Sequence, residues 1–520
     1  MPRFRNRWVR VVVGFALAFM IAGCAGKGTA APALPAGPRE VRGVWITNVD
    51  STVLTSRERI AEAMDFLAAM NINVVYPVVW NKAQTLYPSA VMKERFGVEI
   101  DPIYAGRDPL ADIIAEAHRH GIEVVPWFEY GFASSYNLGG GPLLKKEPGW
   151  AAVDPDGNLV KKNDFEWMNA LDPEVQEFLA SLILEVATNY DIDGIQGDDR
   201  LPAMPTLGGY DAKTVARYRA EFGKDPPRDI KDKQWVQWRA DILTEFLTDL
   251  RTKVKAIDKN IVVSMSPSYY DWSLYEYLQD SKTWTDRDLI DSIHPQAYRY
   301  DFEKYAKVID DIVANQFTAE QLPLLSPGVL IKSGKYRITW EFLEKCIAYN
   351  RSKGIMGEVH FFYEGLRMDG NELGLALGSG PYREPATLPY RQSTWRPGAL
   401  YFEPEGGARD LAASESATYL IKVPKPATYD VYAEIPAREG KSRKAAYTLT
   451  NGATRAEAAT IDQSDKFSTG WVKVGTMEFG GGKGEEAILR SLDEDGSRVA
   501  VAGKLMLLLN RRHSPNVAWN

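Results

Sequence analysis

The 520-residue chain is 25% charged and 45% hydrophobic, ordinary globular values that leave room for more than one domain and a large core. Its 62 basic and 69 acidic residues give a net charge of −7, which excludes a charge-driven nucleic-acid binder. Only two cysteines occur, Cys24 and Cys346, so a disulfide scaffold is excluded as well.

The N-terminus reads as a targeting segment. Arg3, Arg5, Arg7 and Arg10 precede a short apolar run, Val11 to Ala22, that is too short for a comfortable membrane span. It ends in Ile21-Ala22-Gly23-Cys24, which resembles the bacterial lipobox, so residues 1–24 are expected to be a lipoprotein signal peptide with Cys24 lipidated. The alternative is an ordinary signal peptide cleaved near Ala25. Loss of the four arginines takes the charge from −7 to −11. The expected location is the cell envelope, anchored through lipid, and Ala25 resembles outer-membrane sorting where such a membrane exists. Residues 25–38, rich in Gly, Ala and Pro, read as a flexible tether.

From residue 39 an alternation begins. Apolar strand-like runs at Val41–Asn48, Asn73–Trp80, Ile122–Phe128, Asp193–Gly197, Ile261–Met265, Leu289–Ile293, Leu324–Leu330 and Ile355–Phe362 are each followed by a helical pattern. The helices are predicted over Ser56–Met70, Leu110–His120, Pro173–Asn189, Ala240–Ala256, Phe302–Gln316 and Trp340–Lys353. Eight β-then-α units over residues 39–385 predict a (β/α)8 TIM-like barrel, with a doubly wound open sheet as the alternative. Long insertions follow the strands, on the side where barrel enzymes build their sites. No GxGxxG or P-loop follows a strand, so no nucleotide cofactor is predicted. Past Pro385 the pattern turns to short alternating strands with no helix between them. Residues 390–520 therefore read as an all-β sandwich.

The stretch Tyr190 to Arg200 organises the candidate chemistry, because an apolar strand ends in Asp198-Asp199-Arg200. Gln196 and Asp198 share one strand face and Asp199 takes the other. Asp198 is the candidate nucleophile or base, with Asp199 and Arg200 supporting it. Glu129, between aromatics at the third strand's end, is the candidate acid, since apolar packing raises a carboxyl pKa. The alternative for Glu129 is a rim salt bridge with an arginine. Glu364, at the eighth strand's end, is a second candidate acid or a sugar-hydroxyl acceptor, and otherwise a helix cap. Trp45, Asp50, Trp80, Trp127, His294, Gln296 and Tyr298 lie near strand ends as candidate ligand-orienting groups. No metal is predicted: His118 and His120 face different ways on a helix, and a site of Asp198, His294 and His360 lacks any companion ligand pair. Cys346 reads as a buried small hydrophobe.

The segments Arg42 to Thr47, Asp193 to Arg200, Pro295 to Tyr300 and Glu358 to Leu366 occur in the order found in a glycosyl-hydrolase-like family of bacterial lipoproteins, which residues 39 to 380 resemble. The resemblance implies a (β/α)8 barrel acting on glycans, with peptidoglycan glycan strands among the substrates. Asp193-Gly194-Ile195-x-x-Asp198 is also similar to the fourth-strand motif of α-amylase-type barrels, whose last Asp is the nucleophile. That implies the role for Asp198. Such enzymes carry an acid Glu after the fifth strand, where this chain has Met265-Ser266-Pro267-Ser268, so Glu129 or Glu364 must stand in. Residues 390–513, through Thr469-Gly470-Trp471-Val472-Lys473-Val474-Gly475, resemble the sandwich that ends golvesin and xanthan lyase, which implies carbohydrate or surface binding. The expectation is a lipid-anchored glycoside hydrolase with a poly- or oligosaccharide substrate. A catalytically silent glycan-binding lipoprotein and a metal-dependent polysaccharide deacetylase are the alternatives.

Overall fold

The computed structural model describes residues 37–493 and 498–519, so the predicted signal peptide, Cys24 and most of the tether lie outside the described residues. Eight parallel strands occur in chain order: β1 Val41–Ile46, β2 Val74–Pro77, β3 Glu123–Val124, β4 Gly194–Gly197, β5 Val262–Met265, β6 Ser292–Ile293, β7 Gly328–Leu330 and β8 Gly357–Phe361. They form a five-stranded sheet in the order β7-β8-β1-β2-β3 and a three-stranded sheet in the order β6-β5-β4. Isolated parallel bridges join the two sheets at both edges. Trp127 pairs with Val78 and Gln196 on one side, and Ile293 with Leu325 and Gln296 with Gly328 on the other.

Helices follow the strands, and their starts are set locally. The side chains of Ser56, Asp108, Asp172, Asp301 and Thr339 each accept a hydrogen bond from a backbone N–H of the first turn, and proline opens the helices Pro109–His118 and Pro173–Asn189. Pro173–Asn189 and Phe302–Gln316 have the bounds that their apolar spacing predicts. The helix expected over Ala240–Ala256 begins earlier and spans Lys233–Ile257, and two further features differ from expectation. The stretch before Trp235 contains a further helix, Ala212–Phe222, capped by Asp211. The insertion after β3 is ordered, with a three-stranded antiparallel sheet of Ala133–Tyr136, Phe165–Trp167 and Lys161–Lys162. No helix among the described residues is long and apolar enough to cross a membrane.

The C-terminal region holds two four-stranded antiparallel sheets around their own apolar core, which includes Tyr429, Val431, Leu449, Leu489 and Leu507. One outer face packs Tyr432, Met506 and Leu508 against Ala115 on the helix Pro109–His118. Arg57 of the β/α unit binds the carbonyls of Phe467 and Thr469 at 3.1 and 2.8 Å. The residues entering the sandwich belong with the floor of the β/α unit, at the N-terminal ends of β3 and β4. Arg391 pairs with Glu123 at 2.8 Å, and Arg396 pairs with Asp193 and Asp191 at 2.7 Å each. Trp395 donates to Asp193 at 2.7 Å, and His118 completes that carboxylate at 2.9 Å. Residues 390–396 are therefore poor neighbours for a cut, although composition changes there.

Candidate active site

Two close approaches build the cleft. A Cβ on Gly197 would lie 2.3 Å from the Leu201 carbonyl, because the chain curls back as soon as β4 ends. At Gly131 (φ +48°) the loop after β3 crosses so near Arg200 that a Cβ would lie 2.1 Å from its carbonyl oxygen. This crossing brings the ends of β3 and β4 together, and Arg200 Nε donates to the Glu129 carbonyl at 2.7 Å.

One guanidinium then serves three carboxylates. Asp198 Oδ1 accepts from the Arg200 backbone N–H at 2.8 Å, and its Oδ2 accepts from Arg200 Nη2 at 3.0 Å and Trp127 Nε1 at 3.1 Å. Glu129 Oε1 lies 3.5 Å from the same Nη2, and Asp199 Oδ1 lies 3.4 Å from Nη1. Glu129 Oε2 accepts from Asn81 Nδ2 at 2.8 Å. Since Asp198 and Glu129 meet one nitrogen at 3.0 and 3.5 Å, those oxygens lie no further apart than the sum, 6.5 Å.

Burial sets the electrostatics. The Glu129 carboxyl is pushed up to about 7, chiefly because burial penalises its charge, and Arg200 offsets this only in part while Asp199 adds to it. Burial likewise pushes Asp198 well above the carboxylate range, against Arg200 and with Asp199. The three carboxylates hold Arg200 firmly charged although burial opposes it. The side chains of Glu129 and Asp199 are 18% and 22% exposed, whereas that of Asp198 is 1% exposed. Glu129 opens into a cavity of about 370 Å³ that also has Thr47, Asp50, Lys82, Phe361 and Phe362 on its wall.

The other predicted residues divide by depth. Asp50 lines the cavity, 3.9 Å from Lys332. Tyr298 is half-buried with its ring 5.2 Å from Phe361, and burial raises its phenol. Gln296 is half-buried and donates to the Ser266 carbonyl at 3.2 Å. Trp45 and Gln196 are buried beneath the carboxylates, where Trp45 Nε1 donates to Gln196 Oε1 at 2.7 Å and Gln196 donates to Ser264 at 3.0 Å. They support the cleft floor and do not line it. His294 is buried between Tyr76 Oη at 2.9 Å and the Ser326 carbonyl at 2.8 Å, and burial lowers its pKa to about 4, so it is neutral. Trp80 turns outward, donating to the Gly131 carbonyl at 3.1 Å with its ring against Phe178, because β2 ends at Pro77 and a hairpin follows.

Glu364 does not join Glu129. The helix Tyr363–Ser379 starts directly after β8 and rotates Glu364 off the strand's parity. It lies in a separate surface pocket with Thr52, Arg59, Glu62 and Arg367. His360 bonds Tyr382 Oη at 2.9 Å, away from Asp198, and among the described residues no group of His, Cys, Asp and Glu is gathered as for a metal ion. Cys346 is buried, which raises its thiol pKa.

Two site residues carry no signal in the sequence. Asn81 and Lys82 follow β2 at the tip of a hairpin, a position that strand parity does not reach. Lys82 and Ala83 both have positive φ, 51° and 59°, at a cost of about 1–3 kcal/mol for each non-glycine residue.

The sequence profile of the family described as glycosyl hydrolase-like 10 matches residues 40–340, and that of the golvesin C-terminal domain matches residues 398–507. The chain is 25% identical over 401 residues to the glycosyl hydrolase YngK of Bacillus subtilis (strain 168), covering 69% of this chain and 74% of that one. It is 24% identical over 290 residues to the glycosyl hydrolase DigH of Escherichia coli (strain K12), covering 50% of this chain and 62% of that one. Among solved structures, the PgaB (BpsB) glycoside hydrolase domain from Bordetella bronchiseptica superposes with a TM-score of 0.50 at 14% identity, over 65% of this chain and 98% of that domain. That likeness is one of fold.

Proposed function

Because the chain belongs to the glycosyl hydrolase-like 10 family, we propose that it is a glycosidase whose reaction centre is the Glu129–Asp198 pair held on Arg200. In this reading the two parallel sheets form one closed (β/α)8 barrel, supported by the bridges at both seams. The observation that carries the mechanism is the shared Nη2 contact. One oxygen of each carboxyl lies within 6.5 Å of the other, a spacing that admits two-carboxylate glycosidase chemistry. Burial raises both carboxyls, and the assignment of acid and base between them rests on their hydrogen bonds, with the proton on one of the two. Asp198 accepts three N–H bonds and Glu129 one amide bond, which puts the proton on Glu129. Glu129 then protonates the glycosidic oxygen as the leaving group departs, and Asp198 stabilises or captures the anomeric carbon.

The proposed substrate is a cell-envelope or extracellular glycan, with peptidoglycan strands the first to test. The proposed envelope location and lipid anchor rest on the arginine-rich start and Cys24. The C-terminal sandwich is proposed to bind carbohydrate, in keeping with its golvesin-type profile. Asp198 also favours a second reading, because a carboxylate 1% exposed and saturated with donors suits a silent, glycan-binding barrel. Digestion of purified peptidoglycan and a polysaccharide panel, with products identified by mass spectrometry, separates the two. The glycosidase reading expects products that disappear in Glu129→Gln and Asp198→Asn, and no cleavage across the panel would favour the silent barrel.

A further inference from the structure

We propose that Lys82 is a specificity residue that reads a carboxylate substituent on the sugar bound beside Glu129. The inference rests on the glycosidase reading for the identity of the cavity, and its test has a binding readout that does not need turnover.

The first observation is the backbone. Trp80 pairs with Thr85 and Asn81 with Gln84, which leaves Lys82 and Ala83 as the two-residue turn of an antiparallel hairpin. Both have positive φ, the conformation that favours Asn-Gly in such turns. Ala83 is buried, so packing accounts for its side chain. Lys82 is exposed and lines the cavity, and the turn itself gives no reason for a lysine there.

The second observation is charge. Among the described residues the Lys82 ammonium has no salt bridge and no hydrogen bond, whereas Lys332, the residue before Ser333 of the cavity wall, stands 3.9 Å from Asp50 and 4.9 Å from the Phe362 ring centroid. The cavity thus presents an ammonium with no direct partner, which acts on Glu129 only at longer range. A single ammonium with no second donor fork suits a singly charged carboxylate, since a doubly charged phosphate draws on several donors or a bidentate arginine.

The third observation is registration. Asn81 uses both ends of its amide: Oδ1 accepts from the Lys82 backbone N–H at 2.7 Å, and Nδ2 donates to Glu129 Oε2 at 2.8 Å. The turn that carries the ammonium is therefore tied to the acid. A carboxylate held by Lys82 fixes the ring that carries it relative to the proton of Glu129, while Phe165, Phe361 and Phe362 supply apolar wall.

The test uses the full chain carrying Glu129→Gln, so that glycan is bound and not consumed. Two probes are titrated, a hexuronate oligosaccharide and a muramic-acid-containing glycan fragment, each before and after carbodiimide–borohydride reduction of its carboxyls. At least one acidic form is expected to bind about tenfold more tightly than its reduced form. Adding Lys82→Asn is expected to abolish that preference, leave affinity for the reduced form unchanged and not lower Tm, because Asn tolerates positive φ. Lys82→Arg should restore the preference. A preference that persists in Lys82→Asn, an equal loss of affinity for both forms, or the absence of any preference for a carboxylate would overturn the proposal. Lys82-dependent selectivity in a protein whose wild type cleaves nothing would uphold the proposal and remove the glycosidase reading.

Discussion

The two ends of β4 carry the same chemistry in opposite balance. At its N-terminal end Asp191, Asp193 and the neighbouring Glu123 meet Arg391, Arg396 and His118. At its C-terminal end Asp198, Asp199 and Glu129 share salt bridges with Arg200, and Lys82 acts on Glu129 only at longer range. Burial opposes the charge of Asp193, but Arg396 and His118 outweigh it and hold that carboxyl low. At the mouth burial outweighs Arg200 and the weaker effect of Lys82, and Glu129 rises to about 7. At the floor even Glu123, which burial pushes up to about 6, stays paired with Arg391 and fastens the sandwich, whereas at the mouth the carboxylates outnumber the cations paired with them.

That contrast is broken most sharply by substitution at the mouth. Glu129→Gln should lower kcat by about 10²–10⁴-fold, the usual share of a general acid, and Asp198→Asn by at least as much. Both should retain glycan binding in a pull-down, and near wild-type turnover in Asp198→Asn would promote the silent-barrel reading. At the floor, Arg396→Ala removes the guanidinium from buried Asp193 and half-buried Asp191 and should cost about 3 kcal/mol in chemical denaturation, with kcat per folded molecule unchanged. A truncation at residue 390 should share that loss, because it also removes Arg391 and Arg396, whereas one made after Arg396 should keep it smaller.

The pH dependence of stability sharpens the comparison, because the two ends differ in sign. Asp193 has a folded pKa below its unfolded value of about 3.9. Its contribution is complete above about pH 4 and is lost as pH falls toward the folded value. Glu129 has a folded pKa of about 7 against an ordinary 4.5, so it favours the folded state fully below about pH 4.5, and this is lost as pH rises through 7. Denaturation midpoints across pH 3 to 8 should show both limbs, with the upper one reduced in Glu129→Gln and not abolished, because burial also raises Asp198 and Glu123. The smallest effects belong to the margins. Asn81→Ala should cost about tenfold in kcat/KM by releasing Glu129 from its amide, and Glu364→Gln should change it less than about threefold, since Glu364 lies in another pocket.

What the sequence made legible follows from the range of each interaction. Helix starts were readable because a cap is local: Ser56, Asp172 and Asp301 bond within three residues of themselves. Strand parity put Gln196 and Asp198 on one inner face, and Trp45 and Trp127 do bond them there. Parity failed where an element ended early. Trp80 left its face when β2 stopped at Pro77, and Glu364 left it when a helix began at Tyr363. The floor was not readable at all, because Arg396 lies 203 residues from Asp193 in the chain and no local pattern joins them. Nor was the depth of Trp45, Gln196 and His294, since a strand-end residue reads alike whether it lines a cleft or supports it.

The central claim is that burial, only partly offset by Arg200 and Lys82, keeps Glu129 protonated near neutral pH. Carbon-13 NMR of protein labelled at the glutamate side-chain carboxyls, with the resonance assigned by its loss in Glu129→Gln, measures this directly. The account predicts a titration midpoint of about 7 for Glu129. A midpoint at or below the ordinary 4.5 would contradict it.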